Sequence, residues 1–247
     1  MKLKNDFASF IFGNGCMACH RSGLPLDPWL CPDCQKELIR LAQAPRRPRP
    51  DVFCLYAMTP LTKELVHGLK YGNMSGLARY LVEMAFSETE SREIFREWGR
   101  RLAFIPVPLH PARMRERGYN QAEKLAQALA ACVGGVVVPA LERKTFRVSQ
   151  TKLSKSGRAD NVAGAFVWNR RCRFPNFHIP VIVDDVFTTG ATTSACLYAL
   201  EKKNLAGFAK VCTLMNEEST TAKADFAADS AMEWNFERRK RDSNPQA

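Results

Sequence analysis

Residues 184–192 read Asp-Asp-Val-Phe-Thr-Thr-Gly-Ala-Thr, two adjacent carboxylates followed by a turn crowded with hydroxyls. Each residue type suits one part of a phosphorylated sugar. The hydroxyls of Thr188, Thr189 and Thr192, with backbone N–H groups opening a helix, donate to a phosphate. Gly190, before Ala191, permits a tight turn and close backbone approach. Asp184 and Asp185 would repel that phosphate and so need another task. Accepting hydrogen bonds from the vicinal hydroxyls of a ribose is one. The alternative is an ordinary strand-to-helix junction with an acidic surface turn.

The flanking residues say which elements must hold this group. Val181 to Val183 form a β-branched run that suits a strand buried on both faces, with the aspartates at its carboxyl end. In open α/β sheets, ligands bind in the crevice at that end. The segment TSACLYALEKK after the turn has helical character.

A second strand–turn–helix unit precedes it. FIPVPLH reads as a strand with Ile105 and Val107 inward, and an amphipathic helix with Leu125 and Leu129 on one side starts from Tyr119. Between them lies an Arg-rich loop with Arg113, Arg115 and Arg117 before Gly118. That loop makes a second anion site suited to pyrophosphate, or a solvated basic turn. After Val136–Val138, a long polar and basic segment containing Arg158 reads as a lid or binding loop before GAFVW resumes a strand. Residues 101–180 hold 14 Lys/Arg against 4 Asp/Glu, so the chain's formal charge of +11 is concentrated where an anion would lie. The same balance would attract a nucleic-acid backbone.

Four of the nine cysteines are organised as two Cys-x-x-Cys pairs, Cys16/Cys19 and Cys31/Cys34. Four thiolates at that spacing suit tetrahedral Zn²⁺ in a closed structural site. A pair of disulfides, or a redox pair, is the alternative. His20 could replace a ligand, but four cysteines already fill the shell. A segment this small needs the metal for much of its stability.

A chain of 247 residues, 46% hydrophobic, can build one α/β core and a small accessory module. No apolar stretch approaches the roughly 18 residues of a membrane helix. Asp6 interrupts the short apolar patch near the N-terminus, so a secretory signal is not expected and the location expected is cytoplasmic. The Arg-Pro run at residues 43–51 reads as an extended connector. Residues 59–86 read as two helices divided near Gly72 and Gly76, with His67 packed or at the surface. Residues 87–100 read as a solvated helix of mixed charge, and the polar tail as disordered.

VIVDDVFTTGATTSA resembles the phosphoribosyl pyrophosphate (PRPP) signature of type I phosphoribosyltransferases. The resemblance implies that Asp184 and Asp185 hold the ribose hydroxyls, that residues Thr188, Thr189, Gly190, Ala191 and Thr192 hold the 5-phosphate, and that Mg²⁺ accompanies the substrate. The cysteine pairs, PLTKELVHGLKYG, IPVPLHPARMRERGYNQAEKLAQALA, the Arg143–Asn161 loop and the signature, in that order, resemble the ComF family over roughly residues 14–215. That family is associated with DNA uptake during natural transformation. The resemblance, taken with the composition, gives the expected organisation: a zinc-knuckle module at 1–42, a linker at 43–51, a phosphoribosyltransferase-like domain at 52–215, and a tail at 216–247 that departs from the family's pattern. It also implies a parallel sheet flanked by helices, running through Ile105, Val136–Val138, Phe166–Trp168, Val181–Val183 and Val211–Leu214. As a transferase, the protein would let an acceptor displace pyrophosphate from the ribose. Two other readings stay open: a PRPP-sensing regulator, and a non-catalytic DNA-uptake factor whose basic face holds single-stranded DNA. Sparse aromatics in the basic segments weigh against the last.

Overall fold

The computed structural model describes residues 15–22, 28–43, 46–87, 89–144 and 164–216. Arg158, most of the lid segment and the tail lie outside them.

Apolar runs build the sheet. Its six strands are β1 (Arg46–Arg49), β2 (Val52–Ala57), β3 (Leu102–Pro106), β4 (Val136–Val137), β7 (Ile179–Phe187) and β8 (Lys210–Asn216). They lie in the order β1-β2-β8-β7-β3-β4. All neighbours are parallel except β1, which pairs antiparallel with β2 at one edge. Pro48 cannot donate to a ladder, and an edge is where a strand tolerates it. The Arg-Pro segment is thus extended, as its composition implies, and also paired.

The period of two divides the sheet into two cores. Phe53, Leu55, Leu102, Phe104, Val181, Val183, Cys212 and Leu214 pack on one face. Val52, Cys54, Ala103, Ile105, Ile182 and Val211 pack on the other. The first face is covered by α1 (Pro32–Ala42), α2 (Pro60–Tyr71), α3 (Ser75–Ala85), α4 (Thr89–Trp98) and α6 (Gln121–Val133). The second is covered by α7 (Ala191–Glu201) and by a small antiparallel pair, β5 (Leu141–Arg143) with β6 (Phe166–Trp168).

Three expectations change. Phe166–Trp168 does not join the parallel sheet: it pairs with β5, and Lys144 N–H donates to Ala165 O at 2.9 Å to close the base of the intervening segment. Val52–Ala57, buried along its whole length, is a strand that the sequence reading passed over. Helix α4 is not merely solvated, because Ile94, Phe95 and Trp98 are buried and the Phe95 ring lies 5.8 Å from that of Phe53.

Capping sets the helices that approach the site. Thr59 and Thr62 form a reciprocal capping box that spans Pro60, the first residue of α2. Asn120 caps α6 by accepting from Ala122 N–H at 3.1 Å, and its Nδ2 donates to Val107 O at 3.0 Å. One side chain therefore fastens the start of α6 to the chain leaving β3.

Candidate functional site

Strand β7 borders β8 through Phe187, but its ladder with β3 ends at Pro106 opposite Val183. Beyond that point the β3 side of β7 is open, and the opening begins at Asp184. From β3 the sheet continues outward to β4, and from β7 to β8. The gap between them is the topological switch point, where ligands of open α/β sheets bind. A cleft of about 190 Å³ lies there, lined among others by Lys70, Arg117, Asn120, Gln121, Arg143, Asp184, Asp185 and Thr192.

Adjacent residues of a strand point to opposite faces, and the two aspartates have different neighbours. Asp185 meets the helices of the first face: its Oδ2 lies 3.2 Å from Lys70 Nζ and accepts from Gln121 Nε2 at 3.3 Å. Asp184 Oδ1 accepts from the Asp185 N–H at 2.8 Å. Burial, then the charge of Asp185, push the Asp184 carboxyl up to about 7, against the pull of that hydrogen bond, Lys70 and Arg143.

The threonine turn opens α7 beside this pair. Gly190 stands at φ +77°, and a Cβ there would meet the Phe187 ring at 3.1 Å, so glycine suits both the backbone and the close approach. Thr193 Oγ1 donates to Gly190 O at 2.8 Å. Thr189 Oγ1 accepts from Ala191 N–H at 3.4 Å. Thr192 lines the cleft, while Thr188, Thr189 and Ala191 are exposed.

The three arginines separate. They occupy a short helix, α5 (Pro111–Arg117), rather than a loop, ended by Gly118 in the left-handed region. Arg113 pairs with Glu116 at 2.7 Å and, like Arg115, is exposed and away from the cleft lining. Arg117 enters the cleft, its guanidinium carbon 5.1 Å from the centre of the Tyr71 ring. Its Nε is buried and, among the described residues, has no hydrogen-bond partner. His67 is exposed and stacks on the same tyrosine at 5.0 Å.

Sequence reasoning quoted Lys70, Asn120, Gln121 and Arg143 within its motifs but gave none of them a role in the site. Lys70 ends an amphipathic helix, where a lysine reads as solvated. Asn120 could have been found as an N-cap candidate before the Leu125/Leu129 face. Arg143 reaches the cleft only because β5 folds back against β6.

Cys16, Cys19, Cys31 and Cys34 converge, all buried, with their Sγ atoms within 4.8 Å of one another. A tetrahedron with Zn–S bonds of about 2.3 Å has edges of about 3.8 Å, and Cys19 and Cys31 Sγ are 3.8 Å apart. Cys31 N–H donates to Cys16 Sγ at 3.4 Å. None of the nine cysteines is in a disulfide. The donor set fits zinc. The cluster shares its core with α2 and α3, and Gly68 of α2 makes room for the Met17 methyl, which a Cβ would meet at 2.2 Å.

No family model matches the chain. It is 31% identical over 143 residues to Competence protein F of Haemophilus influenzae, an alignment covering 56% of this chain and 61% of that one. It is 34% identical over 141 residues to the DNA utilization protein YhgH of Salmonella typhimurium, covering 55% and 59%. It is 29% identical over 128 residues to Competence protein ComFC of Streptococcus pneumoniae, covering 50% and 51%. The matches thus span about half to three-fifths of these relatives' lengths. No helix of the described residues is long and apolar enough to cross a membrane.

Proposed function

We propose that this chain is a ComF-type protein acting in DNA uptake, and that its cleft at the β3–β7 switch point binds PRPP. One observation carries the reading: an acid pair and three cations, Lys70, Arg117 and Arg143, share a cleft with the first turn of α7. The names of its relatives, competence and DNA-utilization proteins, support the biological setting.

Asp184 and Asp185 accept hydrogen bonds from the ribose hydroxyls. The first-turn N–H groups of α7, which have no intrahelical acceptors, hold the 5-phosphate with the hydroxyls of Thr188, Thr189 and Thr192. Arg117 and Arg143 face the pyrophosphate, with Arg158 of the lid segment as a further cation. Two carboxylates beside a polyphosphate suit Mg²⁺, which binds one or two carboxylates plus phosphate oxygens and would neutralise the departing pyrophosphate. The four-cysteine cluster holds a structural Zn²⁺.

As a phosphoribosyltransferase, the protein would orient the ribose so that an acceptor forms a bond to the anomeric carbon while the bond to pyrophosphate breaks. No side chain need act as nucleophile. Incubation with Mg-PRPP and a panel of nucleobases, with pyrophosphate release as readout, tests this step. Release dependent on one base defines a transferase. Binding without release defines a PRPP-sensing protein.

A further inference from the structure

Helix α6 opens on Gln121, directly beside the acid pair. Asn120 caps that helix and also holds Val107 O, so the backbone at Gln121 is fixed from both sides. Gln121 is 1% exposed and lines the cleft. Its two amide atoms stand in unequal circumstances. Nε2 donates to Asp185 Oδ2 at 3.3 Å, whereas Oε1 is buried and, among the described residues, meets no donor. A carboxylate only accepts, so the NH₂ group has to face Asp185 and the amide oxygen has to face away from it. Lys70 Nζ is engaged with Asp185 Oδ2 at 3.2 Å rather than with that oxygen.

A buried acceptor without a donor is destabilising, and native folds keep few of them. The cleft holds a second atom of this kind. Arg117 Nε is a buried donor that meets no acceptor among the described residues. A ligand that suits both atoms must accept at one point and donate at another. Ionised phosphate oxygens accept only, so they suit Arg117 and not Gln121 Oε1. Of the groups in PRPP, the two free ribose hydroxyls are the donors.

We propose that Gln121 is a specificity-determining residue of the cleft, its Oε1 accepting a hydrogen bond from one of the ribose 2- and 3-hydroxyls. The inference rests on the PRPP reading and deepens it: the site selects a ribosyl phosphate over the deoxy counterpart. An analogue without that hydroxyl leaves a buried acceptor unpaired, which is how a polar site rejects a ligand of nearly the same shape. Being neutral, the amide reads a hydroxyl without adding negative charge beside the phosphates.

Calorimetric titration of the parent, Gln121→Met and Gln121→Asn tests this, with thermal melts as the folding control. The probes are ribose 5-phosphate, its 2-deoxy and 3-deoxy analogues, Mg-pyrophosphate and Mg-PRPP. The parent should prefer ribose 5-phosphate to at least one deoxy analogue by about tenfold, the order for one buried acceptor left unpaired. Gln121→Met keeps the length and removes the amide, and should bring one such preference to within about twofold. Gln121→Asn, which draws the amide back, should do the same. Both variants should bind Mg-pyrophosphate as the parent does, since it carries metal-bound water but no sugar hydroxyl. A parent indifferent to both hydroxyls, or variants that keep every preference of the parent, would overturn the proposal. So would an equal loss of Mg-pyrophosphate affinity, which assigns the amide to a magnesium-bound water. In each of those cases, binding of Mg-PRPP by the parent leaves the PRPP reading standing. A parent that binds neither Mg-PRPP nor ribose 5-phosphate removes both.

Discussion

Lys70 Nζ and Asp185 Oδ2 lie 3.2 Å apart, so the two adjacent carboxylates of the cleft are electrostatically unequal. Asp185 has a cation and an amide donor; Asp184 has the backbone N–H of its neighbour and a half-buried, desolvated setting. Lys70→Met removes the countercharge and should push the Asp184 carboxyl higher still, since Lys70 is among the groups that lower it. PRPP affinity should fall by about tenfold, the order expected for one charge-assisted contact. Lys70→Arg should recover most of it. Calorimetric titration of both variants checks this, and unchanged affinity in Lys70→Met removes Lys70 from the site.

The Asp184 carboxyl stands near 7 in the fold against 3.8 ordinarily. Between those values the folded state holds a proton that the unfolded chain has released, so stability falls as pH rises through the window. Asp184→Asn keeps the acceptor for Asp185 N–H and removes the poorly solvated charge. Its Tm should exceed the parent's at pH 8 and match it near pH 4. Thermal melts of both proteins across that range give the comparison; parallel curves would contradict the assignment.

Metal analysis of freshly reduced protein should find about one Zn²⁺ per chain. Cys31→Ser should release it. Because the cluster shares a core with α2 and α3, the loss should lower the Tm of the whole unit and speed amide exchange in both helices. Metal-free protein with an unchanged melt would show that the four thiols act otherwise.

Gly190→Ala tests the turn. A left-handed φ costs an ordinary residue roughly 1–2 kcal/mol, and the added Cβ would press on the Phe187 ring at 3.1 Å. Urea denaturation should show a loss of about that size. The start of α7 should shift too, and PRPP binding should weaken beyond the stability effect. A variant as stable as the parent would mean that the turn relaxes freely.

Much of this was legible in the residues. The Val181–Val183 run, the acid pair and the threonine turn marked the strand, the crevice and the helix start, because each is a local signal with local chemistry. The four cysteines were legible from spacing alone. Lys70 and Arg143 were not: they reach Asp184 and Asp185 through long-range packing of α2 and of the β5–β6 pair, which no local period encodes. The arginines misled for the converse reason. They are close in sequence, but the helix α5 turns Arg113 and Arg115 to solvent and leaves Arg117 in the cleft. Phe166–Trp168 has the composition of a sheet strand, yet three residues pair as readily in a hairpin, and the sequence does not say with which partner.

The most direct measurement is calorimetric titration of Mg-PRPP into the parent, Asp184→Asn and Asp185→Asn, with thermal melts as the folding control. Each substitution keeps the shape and removes charge that the ribose hydroxyls would use, a contact of roughly 1.5–3 kcal/mol. Saturable binding by the parent, weakened by about one to two decades in each variant, is the predicted result. No binding by the parent, or equal affinity in all three, would contradict a PRPP site at the carboxyl end of β7.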